Sequence, residues 1–143
     1  MRRDDPNREY LLIVADAIGD LRSEVVFVGG GVAGLLVTDP IADGTSGVLF
    51  DLMPTDPAIL GFSNRWYPEA MKTAVRLRLS DSTEIRLISG PAFVATKLEA
   101  FISRGGDDIL SSHDLEDILN VTGPRSIART PALWPPISAD DLR

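Results

Sequence analysis

The run "AVRLRLSDSTEIRLIS", residues 74–89, constrains this chain more than any other stretch. Val75, Leu77 and Leu79 alternate with Arg76 and Arg78; "SDST" follows, and Ile85, Leu87 and Ile88 return. Successive side chains of a strand point to opposite faces. The pattern therefore predicts a β-hairpin with one apolar face and one wet face.

Helices and further strands surround this hairpin. From about Asn7 to Leu21, the positions Leu11, Leu12, Val14, Ala15 and Ile18 fall on one helical face. "EVVFVGG" is a short apolar, β-branched run bounded by glycines, as a buried strand requires. "GVAGLLVTD" has room only for a short helix, stopped at Asp39-Pro40. "PIADGTSG" is turn chemistry, and "VLFDLM" is a strand ended by Pro54. A loop with one or two helical turns follows and carries Phe62, Trp66 and Tyr67. "GPAFVATKLEAFISRG" begins with proline in its first turn and ends at Gly105-Gly106, a well-punctuated helix. "SSHDLEDILNVTG" is another helix, capped by Ser111 or Ser112 and closed by Gly123. Strands mixed with helices predict an α+β domain over residues 1–123, with helices packed on a mixed sheet. The four prolines of residues 124–143 predict an irregular tail that wanders over the surface.

Charge and composition narrow the function classes. A net charge of -7 argues against a general DNA binder, which needs a basic stripe, but not against a small nucleotide held by one glycine loop. Without cysteine, and with His113 as the one histidine, thiolate metal sites, zinc chemistry and Cys–His catalysis are not available. The N-terminal apolar run is broken by Asp16 and Asp20, so it reads as an amphipathic helix rather than a signal peptide. No apolar stretch reaches transmembrane length, and a cytoplasmic location is the expectation.

Three groups of residues have chemical potential. Gly29, Gly30 and Gly31, after a strand and before a helix, would gather backbone N–H groups and a helix N-terminus, which suits a phosphate; taken alone, a tight strand-to-helix turn is the commoner explanation. Asp51 lies between Phe50 and Leu52. It either faces solvent on the polar side of the sheet or is held for a purpose such as metal binding. Lys97 and Arg104 are seven apart, hence on one face of their helix; Asp114 and Asp117 are three apart on the next. These charges either pair across a groove or form a solvated salt-bridge face. His113, in the first turn of its helix, reads as a surface or capping residue rather than a catalytic base.

In order, "VFVGGGVAGLL", "VLFDLMPTDPAILGFSNRWYPEA", "ATKLEAF" and "SSHDLEDIL" resemble the AbiEii-type nucleotidyltransferases, toxins of abortive-infection and toxin–antitoxin systems with a DNA polymerase β-like fold. The likeness covers most of Val25 to Leu119. It implies nucleotide binding by Gly29, Gly30 and Gly31 with Arg104. It also implies a metal-binding acid at Asp51, and roles in activity for Lys97, Asp114 and Asp117. Such enzymes use three carboxylates, two of them in an Asp-x-Asp pair, to hold two divalent cations against a nucleoside triphosphate. Here the chain departs from the pattern. No Asp-x-Asp occurs, and the roughly twenty residues between Gly31 and Asp51 are already used by a helix plus two strands with their turns.

The resemblance thus predicts a truncated nucleotidyltransferase-like domain, inactive or weakly active, with Mg2+ as cofactor only if activity survives. Missing elements would uncover apolar sheet surface, which predicts a homodimer, and an antitoxin protein is a second possible partner. Two alternatives stand beside this. One is an active enzyme using Asp51 with Asp39 and Asp43. The other is an interaction module that docks a partner through Phe62, Trp66 and Tyr67.

Overall fold

In the computed structural model, the described residues are 6–29, 53–60, 64–104, 109, 112–123 and 134. Over them the chain has an α+β fold. Helix α1 spans Pro6–Ile18 and runs into a 3-10 turn, Gly19–Ser23. Two short helices follow, α2 (Pro57–Leu60) and α3 (Tyr67–Lys72). Strands β1 (Val75–Arg78) and β2 (Glu84–Leu87) come next, then helices α4 (Gly90–Ser103) and α5 (His113–Thr122). The expected helix to Leu21 is shorter than its apolar pattern. Gly19 adopts φ 56, a left-handed conformation open to glycine, which stops the α-helix at Ile18 and tightens the chain.

The expected hairpin forms, with Val75 opposite Leu87 and Leu77 opposite Ile85. Its turn is closed by Leu79 and Ser80, whose N–H groups both donate to the Thr83 carbonyl, and Ser80 Oγ accepts from Thr83 N at 3.0 Å. Ile85 and Leu87 are buried, and Leu79 and Ile88 have no exposed surface. The strand expected in "EVVFVGG" contributes one bridge: Phe27 lies parallel to Leu87, donating to the Arg86 carbonyl at 2.8 Å and accepting from Ile88 N at 3.0 Å. The sheet is therefore mixed, with β2 between an antiparallel partner and a parallel one. Leu11, Val14 and Ala15 of α1, Ala92 and Phe93 of α4 and Val121 of α5 complete the core around it.

Alternation alone sends Arg86 to the wet face, directly opposite Arg76, where two like charges repel. The fold resolves this conflict by separating their partners. Arg76 pairs with Glu84 at 3.1 Å on the exposed side. Arg86 turns inward instead and donates to the Met71 carbonyl at 2.6 Å, with longer bonds to the Ser23 and Glu24 carbonyls. Those carbonyls lie at the ends of α3 and of the 3-10 turn, where chain polarity leaves acceptors without helical partners. One guanidinium thus ties two helix ends to the central strand. Arg8 of α1 makes a similar tie to the Leu79 carbonyl.

The C-terminal stretch departs from expectation at one described residue. Trp134 is half-buried and packs against the core, rather than lying loosely on the surface. The helix expected in "GVAGLLVTD", most of the strand "VLFDLM" and Phe62 fall outside the described residues. Among the described residues no helix is long and apolar enough to cross a membrane.

Because charge-assisted hydrogen bonds are worth about 1.5–3 kcal/mol and the strongest of these, to the Met71 carbonyl, is part-buried, Arg86→Ala should lower unfolding stability by about 1.5 kcal/mol. Arg76→Ala, which removes only an exposed pair, should cost under about 1 kcal/mol. Urea denaturation midpoints of the two variants check this ordering.

Candidate functional site

Helices α4 and α5 pack against each other and bring the second half of the predicted residues together. Ser112 is the N-cap of α5, its Oγ accepting from Leu115 N at 3.3 Å, which settles the choice between Ser111 and Ser112. This cap starts the helix so that Asp114 and Asp117, one turn apart, both face α4. Lys97 of α4 meets them: its Nζ lies 3.0 Å from Asp114 Oδ1 and 2.7 Å from Asp117 Oδ2. Arg104, the C-cap residue that follows α4, donates from NH1 to the other oxygen of Asp114 at 2.5 Å.

Exposure separates the roles of these four groups. The Asp114 side chain is 7% exposed, Lys97 16% and Asp117 22%, whereas Arg104 is 73% exposed. A carboxylate this buried is costly unless both oxygens are paired, and here each has its own cation. Lys97 also sits 5.9 Å from the centre of the Phe93 ring, a further favourable contact for a cation. The four charges are therefore matched two against two, and the predicted groove is closed by direct ion pairs.

Tyr67 joins the cluster, a placement that sequence spacing did not announce. The turn before it is pinned to α4: Asn64 Nδ2 donates to the Thr96 carbonyl at 2.8 Å, and Arg65 pairs with Glu99 at 2.9 Å. This sets Tyr67, half-buried, within the field of Arg104 and Lys97. Burial pushes its phenol above the ordinary range, and the positive charges of Arg104 and Lys97 draw it only part of the way back. For Lys97, burial acts to lower the pKa, but hydrogen bonds to Asp117 and Asp114 outweigh it and the ammonium is held above its usual value. Lys97 is charged at neutral pH and is committed to the two carboxylates.

Of the other predicted residues, Gly29 ends the segment that bridges β2 and adopts φ 90, a conformation in which a side chain would be strained. Gly30, Gly31, Asp39, Asp43 and Asp51 lie outside the described residues. Among the described residues, no group of three or more acidic or histidine side chains is arranged to hold a metal ion. His113 is 95% exposed and 3.5 Å from Glu116, a surface position as expected. Trp66 is partly exposed, with the Arg65 guanidinium 5.3 Å from its ring centre.

No known family, curated protein or solved structure matches the chain.

The exposure difference yields a mutational prediction. Lys97→Met strands a buried carboxylate and should cost about 3 kcal/mol, while Arg104→Ala should cost under about 1 kcal/mol, as read from thermal and urea unfolding. A pH prediction follows from the raised Lys97 pKa. Its stabilisation is fully present below the unfolded-state value and is lost as pH rises through the folded-state value. Tyr67 acts in the same direction, because its phenolate is disfavoured in the fold. Stability should hold from neutral pH to about pH 10 and fall above it. The double variant Lys97→Met/Tyr67→Phe should show a flatter alkaline limb in equilibrium denaturation.

Proposed function

We propose that this chain is a degenerate nucleotidyltransferase-like domain, related to the AbiEii toxins, that keeps parts of the scaffold and has lost the carboxylate pair needed for two-metal catalysis. The observation that carries this reading is the convergence of Lys97 with Asp114 and Asp117, at 3.0 and 2.7 Å, from the two sequence strings that resemble the family's helical motifs. Such convergence across α4 and α5 is what a functional or formerly functional constellation requires. It also supports impairment, since a lysine bound to two carboxylates offers little positive charge to a triphosphate. The parallel bridge at Phe27, leading directly into a left-handed Gly29, supports a glycine turn leaving the sheet as a phosphate-handling turn would.

In this reading the protein acts in the cytoplasm, and its remaining role is association, with a second copy of itself or with an antitoxin protein. Any surviving transfer uses Mg2+ through Asp51. A carboxylate without its Asp-x-Asp partners is a poor cage for a magnesium pair, which demands near-octahedral oxygen geometry.

Calorimetric titration with each nucleoside triphosphate, with and without magnesium, tests the proposal. The expected outcome is weak binding or none, with little dependence on magnesium. Magnesium-dependent incorporation of labelled nucleotide that disappears in Asp51→Ala would establish an active enzyme instead. Light scattering at micromolar concentration should give the mass of a dimer, and a monodisperse monomer would remove the self-association role.

A further inference from the structure

Over the described residues the sheet ends at β1. Leu79 N donates to the Thr83 carbonyl at 2.9 Å, which makes Leu79 and Thr83 a hydrogen-bonded pair of the antiparallel ladder. Such pairs alternate along the strands, so Leu77 with Ile85 and Val75 with Leu87 exchange the next bonds. The residues between them point their backbone groups away from the partner strand. On β2 the consequence is visible: the Arg86 carbonyl accepts from Phe27 N, and Ile88 N donates to the Phe27 carbonyl. On β1 the same parity sends the N–H and C=O of Arg76 and Arg78 outward, and among the described residues no strand meets them. An open edge of this kind is a template for one more extended segment.

Charge and apolar cover both bear on what that segment is. Arg76 and Arg78 are exposed on the wet face of β1. Glu84 stands opposite Arg78 in register, yet its carboxylate pairs with Arg76 at 3.1 Å, and Arg78 has no ion pair among the described residues. A chain with a net charge of -7 thus presents a basic stripe along this edge. Pairing β1 with the β1 of a second copy would set these arginines against one another across the new ladder, where like charges destabilise. A strand with carboxylates at alternate positions would instead meet both guanidinium groups. On the other face, Ile85 and Leu87 of β2 are buried, whereas their partners Leu77 and Val75 on β1 are only partly so. Apolar residues between the acids of an added strand would extend the core face over them.

We propose that the β1 edge is a docking site for an extended acidic segment of another protein, which adds a strand through the backbone of Arg76 and Arg78 and pairs its carboxylates with their side chains. This inference deepens the association role proposed above, on which it rests, and gives the partner its chemistry: Asp or Glu alternating with apolar residues. Backbone bonds supply the affinity, and the two arginines supply the choice of partner.

Amide hydrogen exchange and calorimetric titration of the full chain test the site, with the peptide acetyl-Ser-Val-Glu-Val-Glu-Val-Ser-amide as probe. In the free chain the Arg76 and Arg78 amides should exchange faster than those of Leu77 and Leu79, which lie in the hairpin ladder. Saturating peptide should slow exchange at Arg76 and Arg78 by about tenfold or more. Arg78→Glu, at an exposed position without an ion pair, should weaken peptide binding by about tenfold or more. If repulsion from Glu84 spoils its cooperative melting, Arg78→Gln takes its place in the titration. The same peptide N-methylated at both glutamates keeps its charge but loses its donors to the edge, and it should not bind. Equal binding by the methylated peptide, no binding by the unmodified one, or unchanged exchange at Arg76 and Arg78 in its presence overturns the proposal. Protection of these amides in the free chain overturns it as well: protection that fades on dilution identifies a second copy on the edge, and protection at every concentration identifies cover from the chain itself. Nucleotide transfer by the parent chain would overturn the impaired-enzyme reading and leave these exchange rates where they are.

Discussion

Burial of the Asp114 carboxylate is the constraint around which the helical half of the molecule is organised. With 7% of its side chain exposed, it is costly unless paired, and cations meet both oxygens. Lys97 of α4 and Arg104 at its C-cap do so, which constrains the rotation of that helix and the register of α5 against it. Asp117 then completes the coordination of the ammonium, and the Ser112 cap sets where α5 must start for both acids to face inward. The clasp specifies how the two helices meet more than it adds to their stability, because desolvation offsets much of the attraction in a buried ion pair.

The sheet side rests on a comparable device. β2 is the central strand, and its alternation buries Ile85 and Leu87 while sending Arg86 to the other face. A lysine there would supply a point charge, whereas the planar, multidonor guanidinium reaches carbonyls from both α3 and the 3-10 turn. The aliphatic core and this polar tie act together, one collapsing the layers and the other fixing their arrangement.

These two devices bear on function in opposite ways. The clasp gathers the residues that resemble a transferase's helical motifs, and in pairing them it neutralises them. At the far end of β2, the parallel bridge leads to Gly29, and the Trp134 indole packs against the backbone of Gly90.

Local patterning by itself determined the hairpin, the apolar face of α1, the limits of α4 and α5, and the α+β class. Each depends on periodicity or capping within a dozen residues, which short-range sterics and hydrogen bonding decide. It also placed Lys97 with Arg104 on one helix face, and Asp114 with Asp117 on another. That the two faces meet, that Tyr67 joins them from thirty residues away, and that Arg86 folds inward from a nominally wet face were decided only by tertiary packing. Gly90 shows the difference most sharply. In sequence it is merely the residue before a helix-starting proline, and only the arrival of Trp134 from forty-four residues downstream makes its missing Cβ a requirement. Long-range contacts of this kind leave no periodic trace, because nothing in the local backbone energy depends on them.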